Sequence, residues 1–389
     1  MKHIEVFLTA LRLGLTSFGG PIAHLSYFHD EYVVKKKWIS EQAYADLVAL
    51  CQFLPGPASS QVGMAIGLSR SGILGAILAW IGFTLPSAII LVLFGLGMSF
   101  INAGEHEHWL HGLKVVAVSV VAQAVLGMGK KLCPDKERIT IALLSAVLVL
   151  FINSSLIQVL ILILAGIFGI FFLRTTPELP HDRIHTGSRK VAAGFLILFI
   201  LLLVALPIAR VIYPIQSIKL FDSFYRAGAL VFGGGHVVLP LLQAEVVQAG
   251  WVTNDLFMAG YGMANAIPGP LFAFSAYLGT VSSSSPNEWT GAIICLVAAF
   301  LPSFLLVVGA VPFWEKLRTI PKIRQSMLGV NAAVVGILLA ALYNPVWTSA
   351  IFSSKDFALA SIGFVLLEYW NIPSWAVVIL TVIASFLIY

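Results

Sequence analysis

The residues best placed to do chemistry in this 389-residue chain come in pairs. Phe18-Gly19-Gly20-Pro21 returns as Phe232-Gly233-Gly234-Gly235, and Pro55-Gly56-Pro57 returns as Pro268-Gly269-Pro270. The first motif precedes the second by 37 residues (Phe18 to Pro55) and by 36 (Phe232 to Pro268). A helix does not easily run into Pro55, because the residue before a proline is pushed out of the α region. Pro57 then suits the first position of a new helix, where its missing N–H costs nothing. Each break therefore offers a fresh helix N-terminus, whose free amides and positive dipole end favour an anion. After Pro57 come the hydroxyls of Ser59 and Ser60, where the second copy has Phe272 and Ala273. More polar contacts are thus expected from the first half. A single triplet of this kind could be a plain kink or surface turn; its recurrence with the glycine motif weighs against that.

Charged residues repeat as well. Arg12 and Arg226 each lie six residues before the phenylalanine of the glycine motif. A guanidinium keeps its proton at bilayer depth and suits a tetrahedral oxyanion through paired hydrogen bonds; snorkelling to the headgroups is the alternative. Lys114, opposite the neutral Asn331, is a weaker candidate of the same kind. Glu31 and Glu245 match at an offset of 214 and could pair with the arginines or carry a coupling proton, as could the unmatched Asp46. Gln52 and Asn265, three residues before the prolines, are candidate polar liners of a site. No nucleophile elbow, phosphate loop, dinucleotide fingerprint or HExxH occurs, and the nine histidines form no ligand set. The expectation is no catalytic residue, no metal and no cofactor.

Only 11% of the residues are charged and 59% are hydrophobic, with mean hydropathy +0.94; a soluble fold could not cover its surface with so little charge. The reading is an all-α polytopic membrane protein. Further repeats, Leu85-Pro86-Ser87 with Leu301-Pro302-Ser303 and Gly112-Leu113-Lys114 with Gly329-Val330-Asn331, extend the match along both halves. The segments 3–17, 21–34, 40–54 and 57–69 are too short to span a core of about 30 Å singly and read as two broken hairpins. Segments 71–100, 108–131, 137–152 and 155–173 follow, then an unmatched helix at 190–212. The count is about nine full spans plus four half-length helices, or about 13 crossings if the hairpins span. Residues 1–173 form one repeat, 174–215 a linker with the inverting helix, and 216–389 a second repeat of opposite topology.

Charge placement agrees with inversion. With the N-terminus inside and the C-terminus outside, the basic residues at Lys35–Lys37, Lys130–Lys131, Arg183–Lys190 and Lys316–Arg324 fall in cytoplasmic loops, whereas the outer side receives Arg210, Lys219 and Lys355. The net charge of +5 therefore reflects topology, and no nucleic-acid partner is expected. Cys51, Cys133 and Cys295 lack disulfide or zinc spacing. The first apolar stretch contains Arg12 and no cleavage pattern, so it reads as mature sequence.

Phe18-Gly-Gly-Pro21, Lys36-Lys37-Trp38, Cys51-Gln-Phe-Leu-Pro-Gly-Pro57, Gly233-Gly-Gly235 and Asn265-Ala-Ile-Pro-Gly-Pro270 resemble the chromate ion transporter family in its long, two-domain form. The resemblance covers nearly the whole chain; the second half departs from it only in reading Gly-Gly-Gly for Gly-Gly-Pro. It implies a bacterial inner-membrane protein associated with chromate resistance through efflux, with short members that carry one half each. Chromate and sulfate are near-isosteric dianions, so the resemblance leaves the anion open. The expected function is secondary export of chromate or a similar oxyanion by alternating access. A sulfate-like importer or exchanger is the rival within transport, and an intramembrane enzyme or scaffold is the rival outside it. The expected partners are the oxyanion, the lipid bilayer and, left open, a second copy of the chain.

Overall fold

The computed structural model describes residues 2–100, 107–152, 155–174, 188–232, 238–314 and 320–388. Among these, every regular element is helical. Gly233, Gly234 and Gly235 lie outside the described residues.

The first half opens with α1 (Lys2–Thr16), α2 (Gly20–Phe28, continued by a π-helical turn, His29–Lys35) and α3 (Glu41–Phe53). Ser40 caps α3, its hydroxyl accepting the Ala43 amide at 3.3 Å. Leu54, before Pro55, is extended and ends it (φ −74°, ψ 146°). Helix α4 (Ala58–Phe100) then breaks at Ser71 and Gly72, which separate the half-length start from the long part, and Pro86 sits within it. Next come α5 (Glu107–Leu132), α6 (Lys136–Phe151) and α7 (Ser155–Phe172). Asp135 caps α6, and the Arg138 guanidinium, 2.7 Å away, holds its carboxyl below the usual range.

Helix α8 (Arg189–Ile212) stands between the halves. The second half consists of α9 (Gln216–Leu230), α10 (Val238–Val246), α11 (Asn254–Ala266), α12 (Phe274–Thr280), α13 (Glu288–Ala310), α14 (Pro321–Ala341), α15 (Ser354–Glu368) and α16 (Ser374–Ile388). Helices α1 and α9 are both 15 residues long; α3 and α11 are both 13. Thr253 caps α11 as Ser40 caps α3. Helix α1 lies along the long part of α4, with Gly14 against the Phe83 carbonyl, and α9 lies along α13, with Gly228 against the Ala299 carbonyl. These two close approaches involve matching positions at offsets of 214 and 216.

Five stretches are long and apolar enough to cross a membrane: Ala58–Met98, Trp109–Leu132, Arg189–Ile212, Glu288–Phe313 and Pro321–Trp347. The protein is a multi-pass membrane protein. Helices α6, α7, α15 and α16, read from sequence as full spans, have 16, 18, 15 and 15 residues. At 1.5 Å per residue they reach about 23–27 Å, just short of a full crossing. In α8 only Ala192 is fully buried; Phe195, Phe199, Leu202 and Leu206 pack on the second half, whereas Ile197, Ile200, Leu201, Val204, Ile208 and Val211 are exposed, as a face meeting acyl chains would be.

Candidate functional site

The two Pro-Gly-Pro loops cross between the halves. The Gly56 amide donates to the Val231 carbonyl at 2.6 Å, and the Gly269 amide donates to the Ser17 carbonyl at 2.9 Å. Ser17 and Val231 are matching positions, each just ahead of its glycine motif, so each half supplies the acceptor for the other's loop. Both loop glycines have positive φ (123° and 100°), a region L side chains seldom enter. A Cβ on Gly56 would collide with the Ser303 hydroxyl and crowd the Gln61 carboxamide; on Gly269 it would crowd the Ser87 hydroxyl. Ser87 and Ser303 follow the in-helix prolines Pro86 and Pro302 of α4 and α13. Each loop thus meets two features of the other half, the carbonyl just ahead of its glycine motif and the serine of its Leu-Pro-Ser.

Around the start of α4 the side chains are polar and buried. Ser59, Ser60 and Gln61 are each no more than 2% exposed. Gln61 turns back to donate from Nε2 to the Pro55 carbonyl at 2.7 Å, which ties the loop to the first turn. Its Oε1 has no hydrogen-bond partner, nor do the hydroxyls of Ser60, Ser17, Thr84 and Ser303, all similarly buried. His24 on α2 places Nδ1 3.3 Å from the Ser59 hydroxyl and sets its ring edge-on to Phe83. Buried polar groups are ordinarily paired, and an unpaired one costs about 1–3 kcal/mol. A concentration of them at a helix N-terminus is suited to holding an anion by hydroxyl, carboxamide and amide donors.

The second half contributes less. Its Pro-Gly-Pro loop leads into a 3-10 turn, Leu271–Ala273, and then the seven-residue α12, with Phe272 and Phe274 buried where the first half has Ser59, Ser60 and Gln61 nearby. Asn265 donates to the Tyr261 carbonyl of its own helix at 2.7 Å, and its carbonyl accepts from Ser374. Gln52 is exposed on α3. Pro57 and Pro270 are buried, Pro55 and Pro268 partly so; Gly19, Gly20 and Pro21 form the start of α2, with Gly19 and Gly20 at positive φ.

The matched charges part company. Arg226 is enclosed by carboxylates: Nη1 and Nη2 meet Glu245 at 2.9 Å each, while Nε and Nη2 meet Asp222 at 3.0–3.2 Å. Arg210, at the end of α8, joins Asp222 at 3.1 Å and lies over Trp251, and Ser223 donates to Glu245 at 2.7 Å. Two guanidinium groups and two carboxylates make a neutral, largely buried knot, so Arg226 has little capacity left for a ligand. In the first half Leu8 stands where Asp222 does. Arg12 is exposed on α1, as are Ile4, Leu8 and Leu15. Glu31, which matches Glu245, is buried and meets Lys35 at 3.6 Å. Lys114 pairs with the exposed Asp255 at 2.6 Å, and Asp46 is buried on α3.

Sequence reasoning missed His24, Gln61, Ser17, Thr84 and Ser303 as possible contributors. Ser303 carried a signal, since Leu-Pro-Ser is itself repeated; His24 carried none, because Val238 occupies its matching position. Among the described residues no group of three or more His, Cys, Asp or Glu side chains could hold a metal ion.

The profile of the family described as chromate transporter matches twice, over residues 4–170 and 218–386. A chromate transport protein of Pseudomonas aeruginosa is 26% identical over 358 residues, which cover 87% of this chain and 80% of that protein. One of Cupriavidus metallidurans is 29% identical over 347 residues, 87% of this chain and 81% of the relative. An uncharacterized transporter of Bacillus subtilis is 34% identical over 125 residues, 32% of this chain and 68% of its own length. No solved structure matches the chain. With both halves matched on either side of α8, the chain belongs to the chromate transporter family.

Proposed function

We propose that this protein exports chromate, or a similar tetrahedral oxyanion, across the bacterial cytoplasmic membrane by alternating access. The observation that carries the reading is the crossing of the two Pro-Gly-Pro loops beside the buried hydroxyls and carboxamide at the start of α4. Donors fixed in a low-dielectric site replace the water shell of a dianion, and helix starts at mid-membrane are where many secondary transporters bind substrate. The relatives named as chromate transport proteins support this choice of anion. In this reading the halves have opposite topology, the N-terminus and Lys35–Lys37 facing the cytoplasm and the C-terminus facing out, as the distribution of Lys and Arg favours.

Export is electrically favourable. A dianion leaving a compartment that is about 100 mV negative inside gains about 2.3 kcal/mol per charge, so about 4.6 kcal/mol in all, which sustains a gradient of more than about a thousandfold. The test is purified protein in liposomes loaded with chromate or sulfate, with efflux followed under an imposed potential and separately under an imposed pH gradient. Saturable efflux that accelerates with inside-negative potential is expected. Accumulation against an opposing potential, driven by inward protons, would replace export with import of a sulfate-like anion.

A further inference from the structure

Resting on the reading of the crossing as the anion site, we propose that His24 takes up a proton when the oxyanion binds and carries it across with the anion. The matched carboxylates are poorly placed for that work. Glu245 is fully engaged by Arg226, Arg210 and Ser223, and Glu31 faces Lys35. His24 is instead at the crossing itself. It is 1% exposed, its Nδ1 lies 3.3 Å from the hydroxyl of Ser59 in the first turn of α4, and its Nε2 has no hydrogen-bond partner.

Besides the Ser59 hydroxyl, the ring lies by the backbone carbonyl of Ser17, which also accepts the Gly269 amide. Phe83 of α4 meets it edge-on at 5.4 Å between centroids. The titratable side chains on its own and the neighbouring elements are Tyr27 of α2, Lys2, His3, Glu5 and Arg12 of α1, then His29, Asp30, Glu31, Tyr32 and Lys35 of the π turn. Helix α3 adds Glu41, Tyr44, Asp46 and Cys51, and α4 adds Arg70 alone. Among the described residues none of these forms an ion pair or hydrogen bond with His24; Tyr44 spends its hydroxyl on the Leu25 carbonyl. An imidazolium at this position has no carboxylate beside it, so its counter-charge has to come from a ligand. A dianion at the start of α4 supplies that charge. The Nε2 lone pair takes a proton from the aqueous side that is open, and the new N–H donates to an anion oxygen. When the anion leaves on the other side, the same proton is lost to water there. One proton then accompanies each dianion, and the net charge moved is one negative charge in place of two.

The experiment measures charge moved per anion in proteoliposomes, by current against radiotracer flux. Sulfate serves as one probe because it stays a dianion throughout, and chromate at mildly alkaline pH, where it is also a dianion, serves as the other. Wild type should move one negative charge per anion, and His24→Gln should move two, with flux that no longer falls as pH rises. Ser59→Ala keeps the imidazole but removes its neighbour, and should shift the midpoint of the pH profile while retaining its shape. Two charges per anion in wild type, or an unchanged charge ratio in His24→Gln, would overturn the proposal and leave the exporter reading standing. If His24→Gln fails to insert, an unmoved midpoint in Ser59→Ala overturns it instead. Absence of saturable flux for both anions in wild type would fall on the exporter reading itself.

Discussion

The Gly56 amide donates to the Val231 carbonyl at 2.6 Å, and this bond joins a loop of the first half to the chain just ahead of the second half's glycine motif. Both the positive φ of Gly56 and the Ser303 hydroxyl beside it exclude a side chain there. Gly56→Ala is therefore expected to lower anion flux by at least about tenfold while the protein still inserts, equivalent to about 1.4 kcal/mol. Adding Ser303→Ala should restore part of the loss by removing the colliding oxygen, with the backbone strain left in place. Flux in proteoliposomes at matched protein content checks both; wild-type flux in Gly56→Ala would return the triplet to a plain turn.

Arg226 and Arg12 occupy matching positions but should behave differently on substitution. Removing a partner from the knot of Arg226, Asp222, Glu245 and Arg210 leaves buried charge uncompensated, at a cost of about 3 kcal/mol. Asp222→Asn and Arg226→Gln should each lower the melting temperature in detergent by several degrees, and their combination should cost less than the sum. Arg12→Gln, on an exposed face, should leave melting unchanged.

The first half should dominate anion affinity. Ser60→Ala or Gln61→Ala removes a neutral group suited to a charged ligand, where a hydrogen bond is worth about 1.5–3 kcal/mol. The expected result is a KM for the oxyanion raised by about tenfold or more. Phe272→Ser, which places a hydroxyl at the matching site of the second half, should not lower it. Concentration dependence of initial flux distinguishes the two halves.

Orientation is tested by single cysteines. Thr253→Cys should react with a membrane-impermeant maleimide in intact cells, and Lys36→Cys should react only after the membrane is opened. Equal labelling of both would exclude opposite topology for the halves.

What could be read from sequence was whatever the chain says twice. The helix breaks at Pro55 and Pro268 and the unmatched helix between the halves follow from local rules about proline and apolar length. The break between Ser69 and Gly72 was also legible, since a polar Ser-Arg-Ser-Gly interrupts the apolar run. Which matched residue meets which ligand was not. Arg12 and Arg226 read alike, yet the first is exposed and the second is enclosed by Glu245 and by Asp222, where the first half has Leu8. His24 was equally illegible, because a lone histidine in an apolar segment announces nothing until the fold brings Ser59 from 35 residues away to its ring.

The crossed loops also bear on how such a protein can be assembled. Neither half contains the carbonyl that its own Pro-Gly-Pro loop uses, so neither half folded alone closes its loop. In this chain the linker and α8 act as a tether, and the second half meets the first at the high effective concentration of a single molecule. A polypeptide carrying one half would have to find the missing carbonyl on another polypeptide, and its loop would close only as often as the two met. Splitting this chain within residues 175–187 and expressing the pieces from separate genes would turn an intramolecular closure into a bimolecular one. Transport would then depend on the product of the two expression levels rather than on either alone.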